Sequence, residues 1–137
     1  MIEKIFIGNN LAAILVRRDF KSTGIQFFTD TEFSQQLGYM SRPKGYIIEP
    51  HIHKDVSRQV TKTQEVLFIK SGKLLVEFYD NDKKFAKSRV LETGDIILLA
   101  ECGHGFKMLE ETEIFEVKQG PYAGEEDKMR FRGDNHE

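Results

Sequence analysis

The chain lacks the features that mark several large classes of protein. It has one cysteine, Cys102, which excludes an internal disulfide and fits a reducing compartment. No apolar run approaches the roughly 20 residues that a membrane-spanning helix needs. The first residues carry neither the basic region nor the long apolar stretch of a signal peptide. We find no internal repeat and no low-complexity segment. These absences predict a cytoplasmic protein without a membrane segment.

The chain also lacks a strong charge of either sign. Its 20 basic and 22 acidic side chains leave a net charge of −2, so no global field attracts nucleic acid or an anionic membrane. The sequence contains no Gly-x-Ser-x-Gly elbow, no phosphate-binding glycine-rich loop and no dinucleotide fingerprint. We therefore expect a small-molecule substrate or ligand as the partner, with no role for nucleic acid or membrane.

The composition that is present favours β-structure. Eleven phenylalanines and four tyrosines recur with β-branched residues in short runs that turn residues separate. A length of 137 residues fits one domain. About ten short strands and no long helix predict an all-β antiparallel jelly-roll β-barrel. We place this domain at residues 1–123 and expect residues 124–137 to form a charged C-terminal tail. His136, the penultimate residue, is expected to be disordered.

Three segments give more specific structural predictions. Residues 11–17 read as a strand, and the continuous apolar run over residues 11–16 indicates that it is covered on both faces. Residues 65–70 and 73–79 read as a hairpin joined at Ser71-Gly72. Residues 45–53 read as a strand on which Ile47, Glu49, His51 and His53 share one face.

The histidines suggest a metal site. His51 and His53 are two positions apart on the predicted strand, so both imidazoles point to the same side. Glu65 opens the next apolar run and can reach the same point if the two strands lie side by side. His104, Phe106 and Met108 alternate with Gly105 and Lys107, so His104 lies beside two apolar side chains that we expect to be interior. Imidazole nitrogens and one carboxylate suit zinc, iron, manganese, nickel or copper.

These residues resemble the two sequence motifs of the cupin family. The matching positions are Gly45, His51, His53, Glu65 and Gly72 in the first motif, and Gly94 and His104 in the second. Eleven residues separate His53 from Glu65 where cupins usually have three or four. The second motif is one residue shorter than usual, and Ala100 and Met108 stand where proline and asparagine are usual. The resemblance covers about residues 40–119.

Membership of this family would imply a jelly roll that binds one divalent metal through His51, His53, Glu65 and His104. Iron, manganese, nickel and zinc are the candidate ions, although some cupins have lost the metal. Related jelly rolls often form homodimers by sharing N-terminal strands, and residues 11–16 are apolar enough to do so. The resemblance therefore also implies a homodimer.

Each candidate residue also has a plainer interpretation. The histidine pair can be polar side chains on a half-exposed strand, Glu65 can begin an exposed edge, and His104 can be a hydrogen-bonded core residue. Glu49 is either an acceptor for an imidazole N–H or a solvated carboxylate. Cys102 is either a soft ligand or reactive thiol, or a buried and inert side chain.

Residues 54–64 form an inserted loop between the histidine pair and Glu65. The loop leaves and returns to the predicted site, so we expect it near the mouth. Its basic residues, Lys54, Arg58 and Lys62, either meet an anionic substrate or are simply solvated.

The predicted function is a small metal-dependent enzyme that acts on a polar metabolite. Isomerisation or epimerisation of a carbohydrate-type substrate is one option and oxygenation is another, both by analogy with the family. No residue stands out as the proton shuttle; the conceivable ones are Glu49, Glu113, Tyr39 and Tyr46. The alternatives are a non-catalytic module that binds a small ligand or metal and, last, a structural role.

Overall fold

A computed structural model describes residues 1–133 and contains ten strands. They are β1 (Ile2–Ile7), β2 (Asn10–Val16), β3 (Gly24–Phe27), β4 (Gly38–Ser41), β5 (Glu65–Ser71), β6 (Lys73–Tyr79), β7 (Phe85–Glu92), β8 (Ile96–Leu99), β9 (Gly103–Met108) and β10 (Glu113–Lys118). These 133 residues include no helix, and thus none that is long and apolar enough to cross a membrane. The prediction of an all-β chain with about ten short strands is confirmed.

The strands form three antiparallel sheets. Five strands follow the order β1-β2-β8-β5-β10, three follow the order β7-β6-β9, and β3 pairs with β4 alone. None of the three sheets closes on itself within residues 1–133. The jelly-roll barrel therefore stays a prediction.

The five-stranded sheet is covered on both faces at β2. Ala13 and Leu15 join the larger core, which unites this sheet with the three-stranded one and includes Leu67, Ile69, Leu74, Val76, Phe78 and Ile97. Ile14 and Val16 point to the opposite face, where they pack with Leu98 and Phe28. Phe20, Phe33, Leu37 and Tyr39 lie against this second cluster. The prediction of a strand covered on both faces is confirmed.

The predicted hairpin of residues 65–79 is wrong, although both of its strands exist. β5 pairs with β8 and β10, whereas β6 pairs with β7 and β9. The chain passes from one sheet to the other at Gly72, whose φ of 104° is in the left-handed region. The Gly72 N–H donates to Thr93 Oγ1 and the Lys73 N–H to Thr112 Oγ1, both at 3.1 Å. These bonds direct the chain away from a hairpin.

The predicted strand at residues 45–53 is also wrong for the single chain. Residues 42–64, which we call the arm, contain no strand, and residues 41–62 are all exposed. Short contacts hold the arm locally: the Tyr46 N–H donates to the Pro43 carbonyl, and the Arg42 guanidinium lies 4.5 Å from the Tyr46 ring centroid. A pattern that alternates like a strand becomes a strand only when a neighbour supplies backbone hydrogen bonds.

Candidate functional site

An open cavity of about 920 Å³ lies between the edges of the two larger sheets. The five-stranded sheet contributes Glu65, Glu116 and Lys118, and the three-stranded sheet contributes Tyr79 and residues 103–106. Residues 61–63 at the end of the arm and residues 100–102 complete the rim. The cavity therefore combines carboxylates, a histidine, cations and aromatic rings within one space.

Glu65 and His104 meet at the wall of this cavity. Glu65 is the first residue of β5 and His104 the second residue of β9, so they come from different sheets. Glu65 Oε1 lies 3.9 Å from His104 Nε2, and the two side chains are 13% and 29% exposed. Two of the four predicted ligands thus come together at the cavity, where the two sheets face each other.

Burial changes the protonation of both groups. Desolvation, a hydrogen bond with Glu116 and the negative charge of Glu116 together raise the pKa of Glu65 to about 7, against the opposing positive charges of Lys118 and Lys128. Desolvation lowers the pKa of His104, against the pull of the Glu116 charge. Near neutral pH the imidazole is therefore neutral and has a free lone pair, while Glu65 exchanges its proton readily. A neutral imidazole is the form that binds a metal, and a carboxyl group that titrates near neutral pH suits general acid–base catalysis.

Glu116 was not predicted as a site residue. In the ladder between β5 and β10, Lys118 lies opposite Glu65 and Glu116 opposite Leu67, so Glu116 shares the inner face. A signal was available, because Ile114, Glu116 and Lys118 alternate with Phe115 and Val117, and Ile114 packs against the core. Phe115 and Val117 look like the buried face in the sequence but are 60% and 59% exposed.

The structure does not match several other predictions made from the sequence. Phe106 and Met108, expected to be interior, are both exposed. Among the conceivable proton shuttles, Tyr39 packs edge-on against Phe20, and Glu113 accepts a hydrogen bond from Ser71 Oγ. None of Glu49, Glu113, Tyr39 and Tyr46 lines the cavity. Among the carboxylates that line the cavity, Glu116 is best placed beside Glu65 because the two form a hydrogen bond.

His51 and His53 lie on the exposed arm and do not line the cavity. Their rings are edge-to-face with centroids 5.1 Å apart, so the pair stays together. His51 Nδ1 lies 2.9 Å from the Glu49 carbonyl oxygen, which requires the proton on Nδ1 and leaves Nε2 as the free lone pair. Glu49 thus contacts the imidazole through its backbone.

The spacing of Glu65 and His104 is compatible with two ligands of one metal ion. Two ligands at about 2.1 Å from one ion can be at most about 4.2 Å apart. The 3.9 Å between Glu65 and His104 satisfies this limit. Residues 1–133 contain no group of three or more His, Cys, Asp or Glu side chains that could hold a metal ion.

The chemistry of the cavity has to be inferred from its own residues. No family model, curated protein or solved structure matches the chain. The pairing of Glu65 with His104 and the position of Glu116 are therefore the observations from which a function is proposed.

The basic residues of the inserted loop divide into two groups. Lys62 forms an ion pair with Glu101 at 3.0 Å on the rim of the cavity. Lys54 and Arg58 are exposed on the arm and do not line the cavity. Of these three loop residues, Lys62 alone is thus placed to meet an anionic substrate, and the Glu101 carboxylate competes for it.

Cys102 also borders the cavity. Burial first, and then the negative charges of Glu101 and Asp80, raise the pKa of its thiol. A neutral thiol is a poor nucleophile and a poor metal ligand. The geometry therefore favours the inert interpretation of Cys102.

The C-terminal segment closes one side of the cavity. Asp127 accepts a hydrogen bond from Thr63 Oγ1 at 3.1 Å and lies 3.7 Å from Lys118 Nζ. The Phe131 ring packs edge-on against Tyr79 with centroids 5.2 Å apart. Residues 127–131 therefore take part in the cavity wall. Residues 134–137, with the predicted disorder around His136, lie outside the described part of the chain.

Opposite pKa shifts predict opposite pH dependences in two variants of the metal-free protein. The Glu65 carboxyl keeps its proton longer in the folded state, so its contribution lowers the free energy of unfolding as pH rises from 4.5 to about 7. The His104 imidazole is harder to protonate when folded, so its contribution lowers the free energy of unfolding as pH falls below 6.5. In the unmodified protein the two effects partly cancel.

The two substitutions separate these effects. Relative to the unmodified protein, Glu65→Gln is expected to gain stability as pH rises from 4.5 to about 7, by on the order of 2 kcal/mol. His104→Asn is expected to gain stability as pH falls below 6.5. Urea unfolding at pH 5, 6, 7 and 8 measures both. Parallel pH profiles for the two variants would contradict the assigned shifts.

Proposed function

We propose that the protein is a small metal-dependent enzyme with a cupin-like jelly roll, acting on a small polar metabolite within the cavity. The observation that carries the proposal is the meeting of Glu65 and His104, 3.9 Å apart, at the wall of this cavity. A cavity of this size matches the range of about 300–1,000 Å³ that is usual for small-molecule sites. The same two residues are among the four that the sequence pattern selects as metal ligands.

The residues divide into ligands and substrate-handling groups. Glu65 and His104 would hold the ion from inside, and His51 and His53 would complete the set. A bound divalent metal would polarise a substrate oxygen. Glu116, hydrogen-bonded to Glu65, would accept or return a proton, and Lys118 on the same inner face would attract an anionic group.

Proton transfer favours isomerisation or epimerisation over oxygenation. Moving a hydrogen between neighbouring carbons of a carbohydrate-type substrate needs a base that takes a proton and an acid that returns it. With Glu65 and His104 assigned to the metal, Glu116 on the cavity wall is the carboxyl group that would take this proton and return it. Oxygenation makes less use of such a group.

A non-catalytic module that binds a small ligand or metal is the second candidate. Its support is the position of His51 and His53 on the arm, away from the cavity. A site assembled only when a ligand or another chain is present suits storage or sensing as well as catalysis.

Elemental analysis tests the metal proposal. We expect protein incubated with iron, manganese, nickel or zinc and then desalted to retain close to one ion per chain. His104→Asn and Glu65→Gln are expected to lose at least about tenfold in metal affinity, because each removes a ligand. Glu113→Gln is the matched control, since Glu113 is on β10, which pairs with the strand of Glu65, but accepts a hydrogen bond from Ser71 Oγ outside the cavity.

Two results would contradict the proposal. The metal site would be rejected if the unmodified protein retained none of the four ions after incubation. Retention of metal in both His104→Asn and Glu65→Gln would place any bound ion elsewhere. Stoichiometric metal without turnover of carbohydrate-type substrates would favour the binding module.

A further inference from the structure

The arm exposes more apolar surface than a stable loop would. Its large apolar side chains are between 40% and 91% exposed: Tyr46, Ile47, Ile48, Ile52, Val56 and Val60. An exposed apolar segment of this kind marks a surface that another chain covers. The arm therefore has the character of a segment that docks.

The exposed apolar surface continues into the hairpin that carries the arm. Ile25, Phe27 and Met40 on β3 and β4 are also about half exposed. β4 ends at Ser41, where the arm begins, so the hairpin and the arm form one continuous apolar projection. A partner that covered the arm alone would leave the apolar side chains of the hairpin exposed. The partner is therefore expected to be large enough to contact both.

The free edge of β9 is the surface that the arm fits. β9 is the last strand in the order β7-β6-β9, so among the described residues its outer edge pairs with no strand. Such an edge accepts an added extended segment through backbone hydrogen bonds. β9 also carries His104, so a strand added here runs beside the cavity.

Charge supports the same match. The arm carries five basic and two acidic side chains, a net charge of +3. Residues 109–117, which follow β9 directly, carry four acidic side chains and no basic one. Opposite charges on the arm and on residues 109–117 favour the approach of the arm of one copy to this surface of another copy.

We propose that two copies of the chain exchange arms, and that residues 45–53 of each copy form a strand along β9 of the other. The alternation of this segment would then bring His51 and His53 to the cavity of the second copy, beside its Glu65 and His104. The exposure of residues 41–62 argues for a second copy over the arm's own chain, since nothing in the arm's own chain buries them. The exchange is reciprocal and gives a two-fold symmetric dimer with two composite sites. The metal-binding part of this inference rests on the proposed function.

Sedimentation equilibrium of the unmodified protein is the first test. Arm exchange predicts a dimer, because an apolar projection of this size is unstable in water. A monomer at micromolar concentrations would overturn the inference whatever its metal content.

Mixed dimers test whether the sites are shared. One chain carries His51→Ala with His53→Ala, the other carries His104→Ala, and the two are unfolded and refolded together. In a random mixture half of the dimers are mixed and each has one complete site, so metal binding returns to roughly a quarter of the unmodified level. Each variant refolded alone is the control and stays metal-free. An equally metal-free mixture would show that the sites are completed within one chain and would overturn the exchange.

Cross-linking separates this inference from the metal proposal. In a Cys102→Ser background, chains with Ile52→Cys are mixed with chains with Lys107→Cys on β9 or Lys87→Cys on β7, the opposite edge of the same sheet. A short bismaleimide is expected to join Ile52→Cys to Lys107→Cys at least tenfold more than to Lys87→Cys. Equal yields would overturn the docking on β9. A selective cross-link in protein that binds no metal would keep the exchange and reject only the metal site.

Discussion

Gly72→Ala is expected to lower the free energy of unfolding by about 4 kcal/mol, because it combines backbone strain with a clash. The φ of 104° at Gly72 is one that side chains with a Cβ rarely adopt. An added Cβ would lie 2.4 Å from the Glu111 carbonyl oxygen and 2.7 Å from Thr112 Cα, which are backbone atoms that cannot rotate away. Urea denaturation measured by circular dichroism gives the change.

Gly8→Ala is the matched control for this prediction. Gly8 also has a positive φ, of 60°, but an added Cβ would meet nothing within 4 Å. The expected loss is about 1 kcal/mol, the cost of the conformation alone. Equal losses for Gly72→Ala and Gly8→Ala would show that the crossing between sheets tolerates a side chain, contrary to the geometry.

Asp95→Ala is expected to lower the free energy of unfolding by about 3 kcal/mol, since it leaves several donors without their acceptor. The Asp95 carboxylate is only 3% exposed and accepts hydrogen bonds from the Arg18 N–H at 2.9 Å and the Glu92 N–H at 2.8 Å. It also pairs with Arg17 Nη1 at 3.0 Å. One side chain thus ties the end of β2 to the turn between β7 and β8. Thermal and urea unfolding both measure the effect.

Asp19→Ala provides the comparison for Asp95. Asp19 pairs with the N-terminal amine at 3.4 Å, but both groups are more than three-quarters exposed. An exposed ion pair of this kind contributes little to stability, so Asp19→Ala is expected to leave the unfolding midpoint almost unchanged. A loss as large as that of Asp95→Ala would mean that the buried network is not what stabilises the turn.

Local sequence patterns predicted most strands but not how they pair. Apolar alternation and turn residues predicted about ten short strands, and the continuous apolar run of β2 correctly indicated cover on both faces. The hairpin at Ser71-Gly72 failed because its turn is decided by Thr93 and Thr112, residues distant in the sequence. A two-residue hairpin turn can be recognised from neighbouring residues alone. The turn at Ser71-Gly72 instead depends on hydrogen bonds from residues distant in the sequence.

The site was predictable where it depends on spacing and unpredictable where it depends on packing. Glu65 and His104 were selected as residues of one site, and the structure brings them together. Glu116 was missed because the outer face of β10 carries Phe115 and Val117, which resemble a core pattern yet remain exposed. The strand assignment for residues 45–53 failed in the single chain, since no backbone neighbour is present there.

The Gly72 crossing also has a consequence for the order in which the chain folds. Because β5 and β6 belong to different sheets, β5 cannot use its neighbour in sequence as a template. Its first partner, β8, begins at Ile96, 25 residues after β5 ends at Ser71, and its second, β10, follows later still. During synthesis β5 therefore stays unpaired until β8 has been made. Domains in which most strands pair with distant parts of the chain typically fold in milliseconds to seconds. The strand that supplies Glu65 thus gains its first partner only after β6 and β7 have been synthesised.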